Sequence, residues 1–378
     1  MTFKGYLRAD GSAGIRNHVV ILTTVGCANG AIVRLSEKNP DAVTMLSVNG
    51  CGNAHMSSEY AKVIKNICLH PNVYAAVLIG LGCEPDNAKD MADQIEAAGR
   101  RIFVRTIQTD GGSDKVVEEA DAAVKRYLKE AAEQEPVDVP LEKLTVGLYF
   151  DDDDSNDFVY NKSLGHVADF LIDRGGTAIV SQTRSFIGNE DVVGSRAANE
   201  AAQESIDAVF RNTRFQMQSY NPSVDFPKIS KERAEEFAEA FGSHSIAHVL
   251  DGGEALDGRT GLAFQDGSTI GTAAVSNLVA SGAQIVIATS GKISLLGYPV
   301  APVLRVCTDG EAYEAAPEDA DINAAAYSPS ELGSILVDEI EKLANGGKSI
   351  AETTDICGGV FETQFRLIED KRPVESEQ

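Results

Sequence analysis

Three times near its start this chain runs through a short apolar stretch into a Gly-Cys pair. HVVILTTV (18–25) leads to Gly26-Cys27, AVTMLSVN (42–49) to Gly50-Cys51, and YAAVLIGL (74–81) to Gly82-Cys83. The stretches are rich in β-branched and aliphatic residues and apolar on both faces, the pattern of strands buried in a parallel sheet. Glycine lets the backbone turn sharply as it leaves a strand. The next residue then lies at the carboxyl edge, where open α/β sheets bind their ligands. Three thiols are therefore expected along one edge.

Helical segments are expected near 28–38, 57–69 and 86–98, then a fourth strand RIFVRTI (101–107) and a long amphipathic helix after Gly111-Gly112. This alternation predicts an α/β fold whose first domain, residues 1–135, is a doubly wound parallel sheet of the flavodoxin or Rossmann kind. EQEPVDVPLEK (133–143), with its two prolines, reads as the linker. A second α/β domain is expected over 141–370. Its strands are placed at 144–150, 177–183, 283–290 and 302–308, its helices at 163–173 and 328–345, with a long helical insertion opening at Glu190.

Charge and cysteine usage narrow the class. Against 33 basic residues stand 57 acidic ones, a formal net charge of −24. Such a field repels phosphate backbones and anionic lipid, so neither nucleic acid nor a membrane is an expected partner. The amino terminus, MTFKGYLRADGS, has no apolar core, and no stretch is apolar enough to span a bilayer. Six scattered cysteines without a CxxC pair point to a reducing, cytoplasmic setting and away from a structural zinc site. No GxGxxG follows the first strand, so no nucleotide cofactor is expected.

Two readings of the thiol edge stay open. Three thiolates suit iron, zinc or an iron–sulfur cluster, or one serves as a nucleophile; equally, a small buried cysteine suits a tight strand-to-helix turn. Glu84, directly after Cys83, reads either as an acid–base group or as a cap at a helix start. His55, four residues beyond Cys51, reads as base, ligand or neither. The run Asp151-Asp152-Asp153-Asp154 reads as oxygen ligands for a hard cation such as magnesium, manganese or calcium, or as a solvated loop.

Several segments together resemble a known family. GYLRADGSAGIRNHVVILTTVGCANG, HPNVYAAVLIGLGCE, IQTDGGSDKVVEEA, ADFLIDRGGTAIVSQTRSFIGNEDVV, GLAFQD, IVIATSGKISLLGYPVAP and DADIN look like the large-subunit region of the UxaA-type lyases: altronate and galactarate dehydratases and the large subunit of sulfolactate sulfo-lyase. The resemblance implies elimination of water or sulfite from a small hydroxy acid, commonly with a divalent metal, usually iron. Such chemistry asks for a base, an acid and cations that stabilise an enolate-like intermediate. On this basis Glu84, Glu190, Cys51 and His55 are candidate catalytic residues. Arg16, Asn17, Lys292 and Asp266 are candidates for binding substrate, and Cys27, Cys51, Cys83, Asp154, Asp319 and Asp321 are alternative metal ligands.

The departures carry information too. Relatives have a histidine shortly before the second Gly-Cys, where this chain has Ser47, Val48 and Asn49. They have a Cys-Gly-Gly-Ser-Asp segment where Phe150 and the aspartate run stand, and a glutamate where Gln182 stands. A glycine-rich segment expected after Asn221-Pro222 is replaced by SVDFPKISKERAEEF. Loss of the soft ligand at position 150 favours an oxygen-ligated ion, or none, over an iron–sulfur cluster. The alternative to a lyase is a catalytically altered homologue acting as a binding or regulatory subunit. In dehydratase relatives a small domain precedes the GYLR segment, and in the sulfo-lyase it is a separate subunit. Since that segment begins here at Gly5, a small partner subunit is expected, along with homo-oligomerisation.

Overall fold

The computed structural model describes residues 2–48, 50, 54–85, 87–151, 158–224, 226, 229–267 and 271–354, the side chains of 54–59 and 220 excepted. The first half contains β1 (Thr2–Leu7), β2 (Ala13–Gly14), β3 (His18–Thr23), α1 (Asn29–Lys38), β4 (Val43–Met45), α2 (Ala54–Cys68), β5 (Val73–Gly80), α3 (Ala88–Ala97), β6 (Arg101–Thr106), α4 (Ser113–Ala132) and β7 (Val137–Pro140). Strands β4-β3-β5-β6 form a parallel sheet in that order.

Alternation along the strands decides which helices cover which face. Val19, Ile21, Ala75, Val77 and Ile79 pack with α1 and α4, whereas Val20, Leu22, Ala76 and Leu78 pack with α2 and α3. Every residue of β5 is buried, which is why the run reads as apolar on both faces. The sheet is thus wound on both sides, and its order reverses between β3 and β5.

The segment expected to be a linker is partly a strand. β7 pairs antiparallel with β1, Phe3 lying opposite Val139, and β2 lies on the other side of β1. The alternation of exposed Val137 with buried Val139 was the signal of a strand, and at a sheet edge Pro140 costs no ladder bond.

The second half contains β8 (Thr145–Phe150), α5 (Asn161–Ile172), β9 (Thr177–Val180), α6 (Glu190–Gly194), α7 (Glu200–Tyr220), α8 (Lys231–Ala238), β10 (His248–Leu250), β11 (Gly261–Gln265), α9 (Gly271–Ala280), β12 (Ile285–Ser290), β13 (Val303–Cys307), α10 (Gly310–Ala315), β14 (Ile322–Asn323), α11 (Pro329–Ala344) and α12 (Ile350–Thr354). Among the described residues its strands form one seven-stranded sheet, ordered β10-β11-β9-β8-β12-β13-β14 and parallel throughout. The expected insertion is helical only through α8; β10, β11 and α9 then return the chain to the sheet. Helix α9 is buried on all sides from Ala273 to Ala280, so it shows no amphipathic period to read.

Both sheets are stitched together at their amino edges. Asn72, fully buried, takes the Ile15 N–H on its Oδ1 at 2.9 Å and gives its Nδ2 hydrogens to the carbonyls of Gln284 at 3.2 Å and Val300 at 3.0 Å. Gln284, immediately before β12, accepts the Thr145 N–H at 2.6 Å and donates to the Ala13 carbonyl. His70 accepts the Asn72 N–H on Nδ1 at 3.1 Å, which leaves its Nε2 as the donor to the Ala283 carbonyl, also at 3.1 Å. These last contacts place the carboxyl end of α2 beside that of α9. The two helices share one apolar core with both sheets, and the carboxyl edges lie away from the stitch.

Burial pushes the His70 imidazole down to about 3, so the fold holds it neutral. An unfolded chain binds that proton from about pH 6.5, so the contribution of His70 is complete above that value and drains as pH falls towards 3. Urea titrations at pH 7 and pH 5 should show the wild type losing stability across this interval, and His70→Asn losing measurably less.

Candidate active site at the carboxyl edges

Where β3 and β5 diverge, the chain leaves the first sheet through Thr24-Val25-Gly26-Cys27 and Leu81-Gly82-Cys83-Glu84. The Glu84 carboxylate folds back over its own loop. Its Oε1 accepts from the Thr24 hydroxyl at 2.7 Å and the Leu81 N–H at 3.0 Å; its Oε2 accepts from the N–H groups of Gly82 at 2.6 Å and Cys83 at 3.0 Å. The two glycines are there to admit it. A Cβ on Gly80 would sit 2.5 Å from Glu84 Oε1, and Gly82 has φ +118°. Burial alone would raise the Glu84 pKa, but the Gly82 N–H, the Thr24 hydroxyl and the other donors outweigh it and hold the carboxyl below its usual range.

Cys27 and Cys83 are both exposed at this edge; Cys51 lies outside the described residues, as does the side chain of His55. Beside Glu84 a cleft of about 410 Å³ opens between α3 and β6, with Lys89, Arg105, Thr106 and Asp110 in its wall.

The second sheet reverses its strand order between β8 and β12. Its carboxyl ends are unusually polar for their burial. Asp266 follows β11 and is fully buried; its N–H donates to the Leu250 carbonyl at 2.8 Å and its carboxylate accepts from Asn212 Nδ2 on α7. Glu190, which opens α6, accepts the Gly188 N–H at 2.9 Å and pairs with Arg214, also on α7. Gln182 follows β9 and is buried. Asp151 follows β8, its N–H on the Thr289 carbonyl of β12 at 2.9 Å, and the exposed Lys292 follows β12. Helix α7 therefore holds both Glu190 and Asp266.

Asn212 and Arg214 were not anticipated, yet a signal was present. The buried stripe Ile206, Val209, Phe210 continues as Thr213 and Gln216 before returning to Met217. Polar side chains at core positions of a helix mark a place where burial is compensated by hydrogen bonds.

The other anticipated residues go elsewhere. Arg16 donates to the Glu352 carboxylate at 2.8 and 3.1 Å and to the carbonyls of Ile15, Leu343 and Gly347, pinning the end of α11 and the start of α12. Asn17 accepts from Arg8 at 2.8 Å and donates to the Ala131 carbonyl at 2.9 Å. Asp321 takes the N–H groups of Arg305 and Ile350 on its two oxygens, each at 2.8 Å; burial raises its pKa in spite of those bonds. The Asp319 carbonyl receives Arg305 Nη1 at 3.3 Å. Asp154 lies outside the described residues. Among the described residues no three His, Cys, Asp or Glu side chains converge as a metal-ligand set.

Comparison with known proteins defines the class. Residues 5–132 match the family model "D-galactarate dehydratase/Altronate hydrolase, second domain", and residues 141–360 match "D-galactarate/Altronate dehydratase, C-terminal". The chain belongs to the D-galactarate/altronate dehydratase family. It is 28% identical to altronate dehydratase of Bacillus subtilis over 354 residues, which span 88% of this chain and 70% of that one. It is 25% identical to (2R)-sulfolactate sulfo-lyase subunit beta of Chromohalobacter salexigens over 381 residues, 93% and 94% of the two chains. Galactarate dehydratase (L-threo-forming) of Escherichia coli is 26% identical over 362 residues, 87% and 69% of the two.

Glu84 tests the logic of the first edge. Glu84→Gln sets an amide hydrogen against a backbone donor and should cost about 2 kcal/mol in urea unfolding at pH 7, the scale of a lost charge-assisted bond. A lowered pKa gives stability that is present above the ordinary carboxylate range and lost as pH falls through the folded value. The gap between wild type and variant should accordingly narrow from pH 6 towards pH 3.5.

Proposed function

We propose that this chain is a lyase that eliminates water, or sulfite, from a small hydroxy acid at the carboxyl edge of the second sheet. One observation carries the reading: where the strand order reverses between β8 and β12, the chain puts an acid, Asp151, beside a strand that leads to the exposed Lys292, and α7 holds two further carboxylates at the same edge. In such sheets the crevice at the reversal is where ligands bind. The family membership supports the reaction class, and the relatives' names supply the substrates to try: altronate, galactarate and (2R)-sulfolactate.

Elimination next to a carboxylate asks for charge neutralisation, proton removal and recognition of the hydroxyls. Lys292 is assigned the substrate carboxylate, where its ammonium offsets the charge that builds as the α-proton leaves. Glu190, fixed by Arg214 and the Gly188 N–H, is assigned that proton. Asp266, oriented by Asn212, is assigned a substrate hydroxyl. A divalent ion, with iron, magnesium, manganese and calcium as the alternatives, and a cytoplasmic location remain parts of the proposal, as does a small partner subunit. The partner is supported by the relative matched over almost its full length, whose name calls it a subunit beta.

Purified protein should be incubated with each acid, with and without added ferrous iron or magnesium, and assayed for 2-keto acid or sulfite. Turnover of one of them is expected, with Lys292→Met lowering kcat/KM at least 100-fold while the thermal midpoint stays put, because the side chain is exposed. Equal activity of Lys292→Met refutes its role. No product from any acid, even with a co-purified partner added, favours the binding or regulatory homologue instead.

A further inference from the structure

Resting on that reading of the second edge, we propose that Gln182 is a positioning residue that extends the β8–β9 ladder by side chain and so fixes where β8, and Asp151 after it, enters the site. The backbone ladder runs to Leu148 opposite Val180, with the Ser181 N–H on the Leu148 carbonyl at 3.0 Å. Two residues on, the Phe150 carbonyl is met by Gln182 Nε2 at 2.7 Å, and Gln182 Oε1 accepts the Arg184 N–H at 3.1 Å.

The orientation of the amide is settled by its partners. A carbonyl only accepts and a backbone N–H only donates, so nitrogen must face Phe150 and oxygen must face Arg184. Both strand ends are thereby held by one buried side chain: β8 through its last carbonyl, and β9 through the turn that leads to Arg184. On its other side the exit of β8 is held by the Asp151 N–H on the Thr289 carbonyl of β12. The amide therefore supplies the second of two fastenings at the point where the strand order reverses.

A carboxylate of the same size does only half of this. It accepts from Arg184, but it sets a charged oxygen against the Phe150 carbonyl oxygen with no proton between them. Protonated, it donates and the fastening returns. A glutamate at this position therefore makes the geometry of the site depend on pH, and glutamine keeps it independent of pH.

The test is Gln182→Glu against wild type from pH 5.5 to pH 8, on whichever acid the wild type turns over. The ratio of variant to wild-type kcat should climb at least tenfold as pH falls across that range, with KM little changed. Gln182→Met, which has no donor, should be low at every pH. A flat Gln182→Glu ratio, or wild-type activity in Gln182→Met, overturns the proposal. Hydrogen exchange of the peptide carrying Phe150 and Asp151 keeps it falsifiable if the wild type turns over nothing, a result that strikes the functional reading alone. Relative to wild type at each pH, that peptide should be deprotected in Gln182→Glu at pH 8 and protected again at pH 5.5; equal protection throughout also overturns it.

Discussion

Asn72 and Gln284 bear the constraint on which the rest of the molecule depends. Each sits just before a strand, in different halves of the chain, and each is buried to within 1% of complete exclusion. Buried amides are tolerated only when their donors and acceptors are met. Here the donors are met across the boundary between the halves, Asn72 by the carbonyls of Gln284 and Val300 and Gln284 by the carbonyl of Ala13, while each amide oxygen takes an N–H of its own half, from Ile15 and from Thr145. Sliding one half against the other would strand several of these groups without water, at about 1–3 kcal/mol apiece. The apolar core that continues from α2 to α9 supplies attraction, which has little directional preference. Hydrogen bonds at the amino edges supply the register.

Fixing the amino edges leaves the carboxyl edges for chemistry, and there the chain solves one problem twice. A strand that stops leaves backbone groups whose partners have turned away. At Glu84 those groups are N–H donors, so the side chain that closes the loop is a carboxylate, which only accepts. At Phe150 the group is a carbonyl, so the closing side chain is an amide, which donates. The identities of Glu84 and Gln182 follow from the polarity of the groups they satisfy. A resemblance-based expectation of catalysis at Glu84 meets a carboxylate already engaged by four donors.

Much of the first sheet was legible because β3 and β5 are apolar along nearly their whole length and a glycine stands at or just beyond the end of each. Less of the second was legible. GLAFQ is too short to separate from a helix fragment by period, α9 is apolar all round, and β7 hid behind two prolines that an edge strand tolerates. The site divided in the same way. Lys292, Asp266 and Glu190 were reached through motifs, and the structure brings them to one sheet edge. Arg16, Asn17 and Asp321 were reached through motifs as well, but their hydrogen bonds are engaged in holding other segments of the chain. A short motif does not contain the partners of its residues: Arg16 meets Glu352, 336 positions along the chain.

The charge of the chain bears on how such a site meets its ligand. At −24 the molecule repels an anionic acid at long range. In physiological salt that repulsion fades over about 8 Å, so what a small anion meets on arrival is set by the nearest side chains. At the second edge the described side chains carry both signs: Arg184 after β9 and Lys292 after β12 are exposed, Asp151 after β8 is half-buried, and Glu190 is paired with Arg214. Long-range repulsion therefore weighs most on polyanions, whose many charges extend beyond the screening length, and least on a single small carboxylate.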